Sequence, residues 1–66
     1  MANMRQAVAV IEEPNECTRY ISLPLYLYDG GGAGTDDINT KEVIARRMAR
    51  AKTNDGLVLE ILWMEV

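Results

Sequence analysis

The side chains best suited to binding a charged group are three arginines in one short segment, Arg46, Arg47 and Arg50. Arg46 and Arg50 are four residues apart, where like charges on a helix repel each other unless an acidic group is near. Glu42 stands four residues before Arg46 and can pair with it, and nine further acidic residues lie elsewhere in the chain. The arginines therefore have two interpretations: they pair with acids of their own chain, or they bind an anionic partner surface or ligand.

The charge of the chain is divided between one basic segment and an acidic remainder. The whole chain has a net charge of −3, to which residues 41–52 contribute +4 and all other residues −7. An acidic remainder repels a phosphate backbone, so nucleic-acid binding through the arginines is the least favoured alternative. Such binding predicts an affinity that falls steeply with salt.

A glycine-rich segment, residues 29–37, precedes the basic segment. It lacks the Gly-Lys-Ser/Thr ending of a P-loop, and the two aspartates that end it would repel a phosphate. Its acids do not follow the spacing of an EF-hand loop either. The segment is therefore interpreted as a flexible connection. The alternative is a loop that orders on contact, in which Gly31, Gly32 and Thr35 help the arginines to hold an anionic small ligand, such as a nucleotide, between subunits.

Catalysis has no visible basis in the side chains present. The chain contains no histidine and a single cysteine, Cys17, which excludes Ser-His and Cys-His pairs, the familiar zinc patterns and an internal disulfide. Cys17 lies in an acidic turn, where a thiolate is disfavoured. We therefore expect a protein that is not an enzyme and that has neither a metal site nor a cofactor.

Three segments have the pattern of β-strands. Residues 4–13 contain a run that is apolar on both alternating faces and rich in β-branched side chains, as in a central strand. Residues 19–28 alternate cleanly, but Pro24 cannot donate a ladder hydrogen bond, so a sheet edge or a bulge is expected there. Residues 57–66 are largely apolar on both faces, which predicts a strand that is covered on both sides.

A helix is predicted between the glycine-rich segment and the last strand. Asn39 is assigned as the N-cap with Glu42 at the third helical position, and Ile38 and Val43 are assigned to a hydrophobic staple. The helix is expected to end near Thr53, before an Asn-Asp-Gly turn signal. Its apolar side is predicted to consist of Ile44, Ala45, Met48 and Ala51.

These elements predict an α+β fold of order ββαβ, in which one helix covers one face of a three-stranded sheet with strand order 2-1-3. The face toward the helix, which packs on Ile44 and Met48, is expected to carry Ile21, Leu23, Leu25, Leu27, Leu57, Leu59 and Ile61. The opposite face is expected to carry Tyr20, Tyr26, Tyr28, Leu62 and Met64. Because an apolar face of this kind rarely stays in water, these five residues are predicted to form an oligomer interface.

The length of the chain bounds its function. With 66 residues there is room for one small domain, residues 1–66. Domains of this size are usually stabilised by disulfides, a metal or oligomerisation, and only self-association remains for this chain. We therefore predict a non-enzymatic homodimer or higher oligomer of the inhibitor or adaptor type, which acts on another macromolecule and has a protein as its expected partner. Small stand-alone inhibitors and adaptors of this kind include those made by viruses and mobile elements, an interpretation that rests only on the size of the chain. With no apolar run of membrane-spanning length and no signal-peptide pattern, a cytoplasmic location without membrane contact is expected.

Overall fold

The computed structural model describes residues 4–15, 17–28 and 36–66 of the chain. Its elements are strand β1 (Met4–Glu12), strand β2 (Thr18–Tyr28), helix α1 (Ile38–Ala51) and strand β3 (Leu57–Glu65). The strands form one sheet in the order β2-β1-β3, and β1 runs antiparallel to both neighbours, so β2 and β3 run parallel to each other. The predicted α+β architecture and strand order are confirmed.

Strand β1 occupies the centre of the sheet because its middle is apolar on both faces. Ala7, Ala9 and Ile11 are completely buried on the face that packs on α1. Val8 and Val10 alternate with them on the other face, where Val10 is buried as well. The central position removes most of this apolar surface from water.

Strand β2 lies at a sheet edge and is irregular around Pro24, as predicted. The register with β1 shifts between Gln6 and Val8, where β2 accommodates two additional residues. Proline has no N–H to give to a ladder. The Gln6 side chain bonds the irregular part of β2, since its Nε2 donates to the carbonyl oxygen of Leu23 at 2.9 Å. An insertion of two residues leaves the alternation of faces unchanged on either side of the bulge.

Helix α1 begins earlier than predicted, because Asp37 and not Asn39 is its N-cap. The Asp37 carboxylate accepts the backbone N–H of Asn39 at 3.0 Å and the hydroxyl of Thr40 at 2.9 Å. The first of these bonds satisfies one of the backbone N–H groups that the first helical turn leaves unpaired. The assignment of Asn39 as cap and of Glu42 to the third position was therefore wrong, since Thr40 occupies that position. The Thr40 hydroxyl, followed by the Asn39 N–H, holds the pKa of Asp37 below its ordinary value of 3.8.

The earlier start of α1 also means that Ile38 and Val43 do not occupy the positions of the predicted hydrophobic staple. With Asp37 as the cap, Ile38 becomes the first helical residue and no longer precedes the cap. Ile38 and Val43 are both exposed. At its other end the helix stops close to the predicted position, with Lys52 as the C-cap.

The helix rests on the sheet through alanines. Ala45 and Ala49 are completely buried in one cluster with two alanines of β1. Met48 packs against this cluster as predicted, whereas Ile44 and Ala51, also predicted on the buried side, are exposed. Small side chains on both elements allow close approach, and the orientation that brings Ala45 and Ala49 onto the sheet turns Ile44 toward solvent.

Strand β3 contains a one-residue bulge at Leu59 that the sequence pattern does not reveal. Adjacent residues of β1 lie opposite Glu60 and Val58, so Leu59 is the additional residue. One inserted residue moves the alternation by one, and Val58 packs against the core while Leu57 and Leu59 are exposed. The prediction that Leu57 and Leu59 face the helix was therefore wrong, whereas Ile61, beyond the bulge, is buried as predicted.

The core between sheet and helix is small. Among the described residues, the large side chains that are fully buried are Ile11, Leu23 and Leu27, and four of the seven residues in the central cluster are alanines. Alanine removes little apolar area from water, so the hydrophobic stabilisation is limited. The indole N–H of Trp63 is buried and has no hydrogen-bond partner among the described residues, which is a further cost to the folded state.

Candidate binding surfaces

The sheet face opposite α1, here called the open face, contains all five residues that the sequence assigned to it. It is formed by alternate residues of the three strands, namely Met4, Gln6, Val8, Val10 and Glu12 of β1, Thr18, Tyr20, Ser22, Tyr26 and Tyr28 of β2, and Leu57, Glu60, Leu62 and Met64 of β3. The bulges in β2 and β3 leave these five predicted residues on one side of the sheet.

Several large side chains of the open face are accessible to solvent. Tyr20 is 68% exposed, Met64 53% and Tyr26 42%, while Tyr28 and Leu62 are half-buried. Helix α1 packs on the other side of the sheet. The open face is therefore an apolar and aromatic surface that no helix or strand in the described ranges covers.

The three arginines of the predicted binding site differ in their surroundings. Arg46 is half-buried: its Nε lies 3.7 Å from Oε2 of Glu42, and its Nη1 donates to the carbonyl oxygen of Val58 at 3.4 Å. Arg47 and Arg50 are exposed, and neither side chain forms an ion pair or hydrogen bond with another described residue. Pairing within the chain therefore applies to Arg46, whereas Arg47 and Arg50 are accessible to an external anion.

Two residues that the sequence analysis did not single out close part of the β2 edge. Asp36 binds both backbone groups of Tyr28, whose N–H donates to Oδ2 at 2.7 Å and whose carbonyl oxygen accepts the Asp36 N–H at 3.0 Å. Lys41 Nζ donates to the carbonyl oxygen of Tyr26 at 2.7 Å and lies 3.6 Å from Asp36 Oδ2. No local pattern could have identified this role, because it depends on which strand the chain meets after the glycine-rich segment.

A polar cleft of about 330 Å³ opens at the opposite end of the sheet, between the β1–β2 turn and the end of α1. Two of its lining residues, Glu13 and Arg19, form an ion pair at 2.9 Å. A third, Thr53, donates its hydroxyl to Glu13 at 3.1 Å. These three side chains satisfy one another, so they are not directed at a ligand. The cleft joins two turns that are far apart in sequence, which is why the sequence pattern does not predict it.

The remaining candidates do not form a site in the described residues. Gly31, Gly32 and Thr35 lie outside them. Within residues 4–15, 17–28 and 36–66, no group of three or more His, Cys, Asp and Glu side chains converges on a possible metal position. Cys17 is exposed and free. The same residues contain no helix with both the length and the apolar character needed to cross a bilayer.

Comparisons with family models, with curated proteins and with solved structures find no match to this chain. A functional conclusion therefore depends on the chemistry of two surfaces, the open face and the exposed arginines.

Proposed function

We propose that this chain is a non-enzymatic binding protein that assembles with copies of itself through the open face and attaches to an acidic surface of another macromolecule through Arg47 and Arg50. The observation that carries the proposal is the exposure of Tyr20, Tyr26 and Met64 on a single apolar face. Grouped apolar side chains on a surface mark interaction sites, and tyrosine and methionine are enriched in protein interfaces.

A second copy of the chain suits the open face as its occupant. The centre of this face is formed by Val8 and Val10 of the middle strand, whereas its two acids, Glu12 and Glu60, lie at a strand end and on an outer strand. Two such faces related by a twofold axis bring apolar centres together while the acids stay at the margin in water. The small core explains why the contact is needed, since a covered face adds buried apolar area that one chain lacks.

Size-exclusion chromatography with light scattering tests the self-association. Replacing both Tyr20 and Tyr26 by lysine puts charges on the open face, and we expect the mass of the assembly to fall. The matched control replaces Val43 and Ile44, which are exposed on α1, by lysine and is expected to keep the wild-type mass. Circular dichroism confirms that both variants fold. Equal masses for the two variants, or a monomeric wild type at micromolar concentration, would contradict the proposal.

The second half of the proposal rests on Arg47 and Arg50. Residues three apart share one side of a helix, and guanidinium groups bind carboxylates through paired hydrogen bonds. The charge of −7 outside residues 41–52 disfavours a nucleic acid, so a protein surface rich in Asp and Glu is the favoured partner. Arg50 also lies in the last turn of α1, where a positive charge stabilises the helix end, so Arg47 is the cleaner residue to test.

Fluorescence anisotropy with three labelled anions tests the arginines: an oligoglutamate peptide, a DNA duplex and an adenine nucleotide. We expect the peptide to bind and Arg47→Glu to weaken it by about tenfold, equivalent to about 1.4 kcal/mol. Lys52→Glu is the matched control, because it changes the charge equally but lies about 140° around the helix axis from Arg47. Preference for the nucleotide would favour the small-ligand alternative, and salt-sensitive preference for the duplex would favour nucleic acid; either result overturns an acidic protein surface as partner.

A further inference from the structure

The backbone groups of β3 divide into those that face β1 and those that face outward. Val66 donates its N–H to the carbonyl oxygen of Met4 at 3.2 Å. Hydrogen-bonded and non-hydrogen-bonded pairs alternate along an antiparallel ladder, so the backbone groups of the neighbouring even-numbered residues also face β1. Those of Ile61, Trp63 and Glu65 face the outer edge, where no described residue is hydrogen-bonded to them.

The two edges of the sheet differ in how well they are protected. On β2, Asp36 and Lys41 form hydrogen bonds with outward backbone groups of Tyr28 and Tyr26. Pro24 has no N–H that another strand could bond. The rest of that edge, residues 18–22, is short and largely polar. On β3, the Arg46 side chain bonds the carbonyl group of Val58 near the start of the strand, and residues 61–64 beyond it are all apolar. An unprotected apolar edge is a template for pairing with another strand.

We infer that two copies of the chain pair along the outer edges of β3 and form a continuous six-stranded sheet. The strands run antiparallel about a twofold axis that passes between the two Leu62 residues. In this register the backbone N–H and C=O groups of Ile61 in one copy form hydrogen bonds with those of Trp63 in the other. The two Leu62 side chains then contact each other on the open face. The inference rests on the proposed self-association but uses a different surface, the outer edge of β3, so the two contacts can be tested separately.

The charges of β3 are compatible with a second copy of the same strand. In the Leu62-centred register Glu60 lies opposite Met64, and Glu65 lies opposite Leu59, so no two acids face each other. Glu60 and Glu65 are five positions apart along the strand and project from opposite faces. Among the registers that pair outward groups with outward groups, those centred on Glu60 or on Glu65 place an acid opposite its own copy, and the Leu62-centred register is neither of these.

Amide hydrogen exchange measured by NMR tests the edge contact. We expect the Ile61 and Trp63 amides to exchange roughly tenfold or more slowly than the outward amides of Tyr20 and Ser22 on the β2 edge, and to lose this protection on dilution. Contact through the open face alone leaves all four outward amides accessible. Equal exchange at both edges in the assembled protein would overturn the inference.

Disulfide trapping tests the register in a Cys17→Ser background. Leu62→Cys is expected to form a covalent dimer, because paired side chains at such a position have Cβ atoms about 4.5–5.5 Å apart. Glu60→Cys, on the same face of the same strand, is the control, since its two copies would lie about 13 Å apart. Efficient crosslinking at Glu60→Cys with none at Leu62→Cys would exclude the proposed register.

The two contacts between copies are separated by repeating both measurements with Tyr20 and Tyr26 replaced by lysine. These residues lie on β2, away from the β3 edge, so edge protection and the Leu62→Cys crosslink are expected to persist when the open face can no longer associate. Loss of both would show that the edge does not associate by itself and would overturn the inference. If the lysine substitutions leave the mass of the assembly unchanged while the edge stays protected, the open-face contact fails and the edge contact stands.

Discussion

Asp36 and Asp37 act as hydrogen-bond acceptors at the junction of sheet and helix. Asp36 holds the end of β2 through both backbone groups of Tyr28, and Asp37 caps α1 through Asn39 and Thr40. Two carboxylates after a glycine-rich segment would repel a phosphate, and in the fold each has a structural partner instead. This pair of residues determines where the helix starts and how it meets the strand.

The Asp37 cap makes part of the stability of the protein dependent on pH. The folded-state pKa of Asp37 lies below 3.8, so its stabilisation is present above that pH and is lost as the pH falls through the lower folded value. We expect Asp37→Asn, which removes the charge, to melt at a lower temperature than wild type near neutral pH. This difference in Tm should shrink as the solution is acidified below pH 3.8.

The control for Asp37 is Asp55→Asn, at an exposed aspartate that forms no hydrogen bond or ion pair with another described residue. Thermal melts of the three proteins across the acidic range are compared. A Tm difference between wild type and Asp37→Asn that is the same at neutral and acidic pH would show that the charge of Asp37 does not stabilise the helix.

Gly56 is required by the space around it, at the turn that leads into β3. A Cβ at this position would lie 2.6 Å from Thr53 Oγ1, 2.7 Å from Ile11 Cγ2 and 3.2 Å from the carbonyl oxygen of Glu12. Ile11 is completely buried and cannot move aside freely. We expect Gly56→Ala to lower the free energy of unfolding by about 1–3 kcal/mol, measured by urea denaturation. Asn54 in the same turn is exposed, and Asn54→Ala is expected to lower the free energy of unfolding by less. Equal decreases for the two variants would argue against a steric cause.

At the scale of elements, the contact between α1 and the sheet depends on small side chains. Ala45 and Ala49 are completely buried, so a larger side chain there has to separate helix and sheet. We expect Ala45→Leu to reduce the free energy of unfolding by about 1–3 kcal/mol in chemical denaturation. Ala51→Leu is the matched control at an exposed position of the same helix, with an expected change within about 0.5 kcal/mol. Similar values for the two variants would mean that the alanines do not set the packing distance.

The two bulges affect their strands differently. The irregularity around Pro24 adds two residues to β2 and keeps the leucines of this strand on the helix side, with Leu23 and Leu27 buried. The bulge at Leu59 adds one residue to β3, so residues before the bulge lie on the opposite sheet face from the one that simple alternation predicts. The predicted alternation therefore survives in β2 but fails in the first half of β3.

For the molecule as a whole, the limited core and the proposed self-association together predict that stability depends on protein concentration. A self-associating protein gains stability with concentration, because only the folded chain takes part in the contact. For a dimer, each tenfold increase in concentration contributes about 0.7 kcal/mol per chain, and we expect the Tm to rise by roughly 3–6 °C. Differential scanning calorimetry over two decades of concentration measures this rise. A Tm that does not change with concentration would indicate that the monomer is stable by itself.

Side-chain types and their spacing were enough to predict the strands, the helix and their order. The both-sided apolar pattern of residues 4–13 placed that strand at the centre, and the proline in residues 19–28 placed its strand at an edge. Alternation also assigned Tyr20, Tyr26 and Tyr28 to one face. These features are local consequences of side-chain type and backbone geometry, which is why they can be predicted without knowing what the chain packs against.

Features that depend on contacts between distant parts of the chain could not be predicted in this way. The N-cap is Asp37 and not Asn39, and Asp36 beside it bonds Tyr28 of β2. The buried side of α1 contains the predicted Ala45 together with Ala49, in a cluster with two alanines of β1, whereas the predicted Ile44 and Ala51 are exposed. The bulge at Leu59 and the difference between the two sheet edges likewise have no local signature. In each case the outcome depends on which residues become neighbours in the folded chain, and a local pattern does not contain that information.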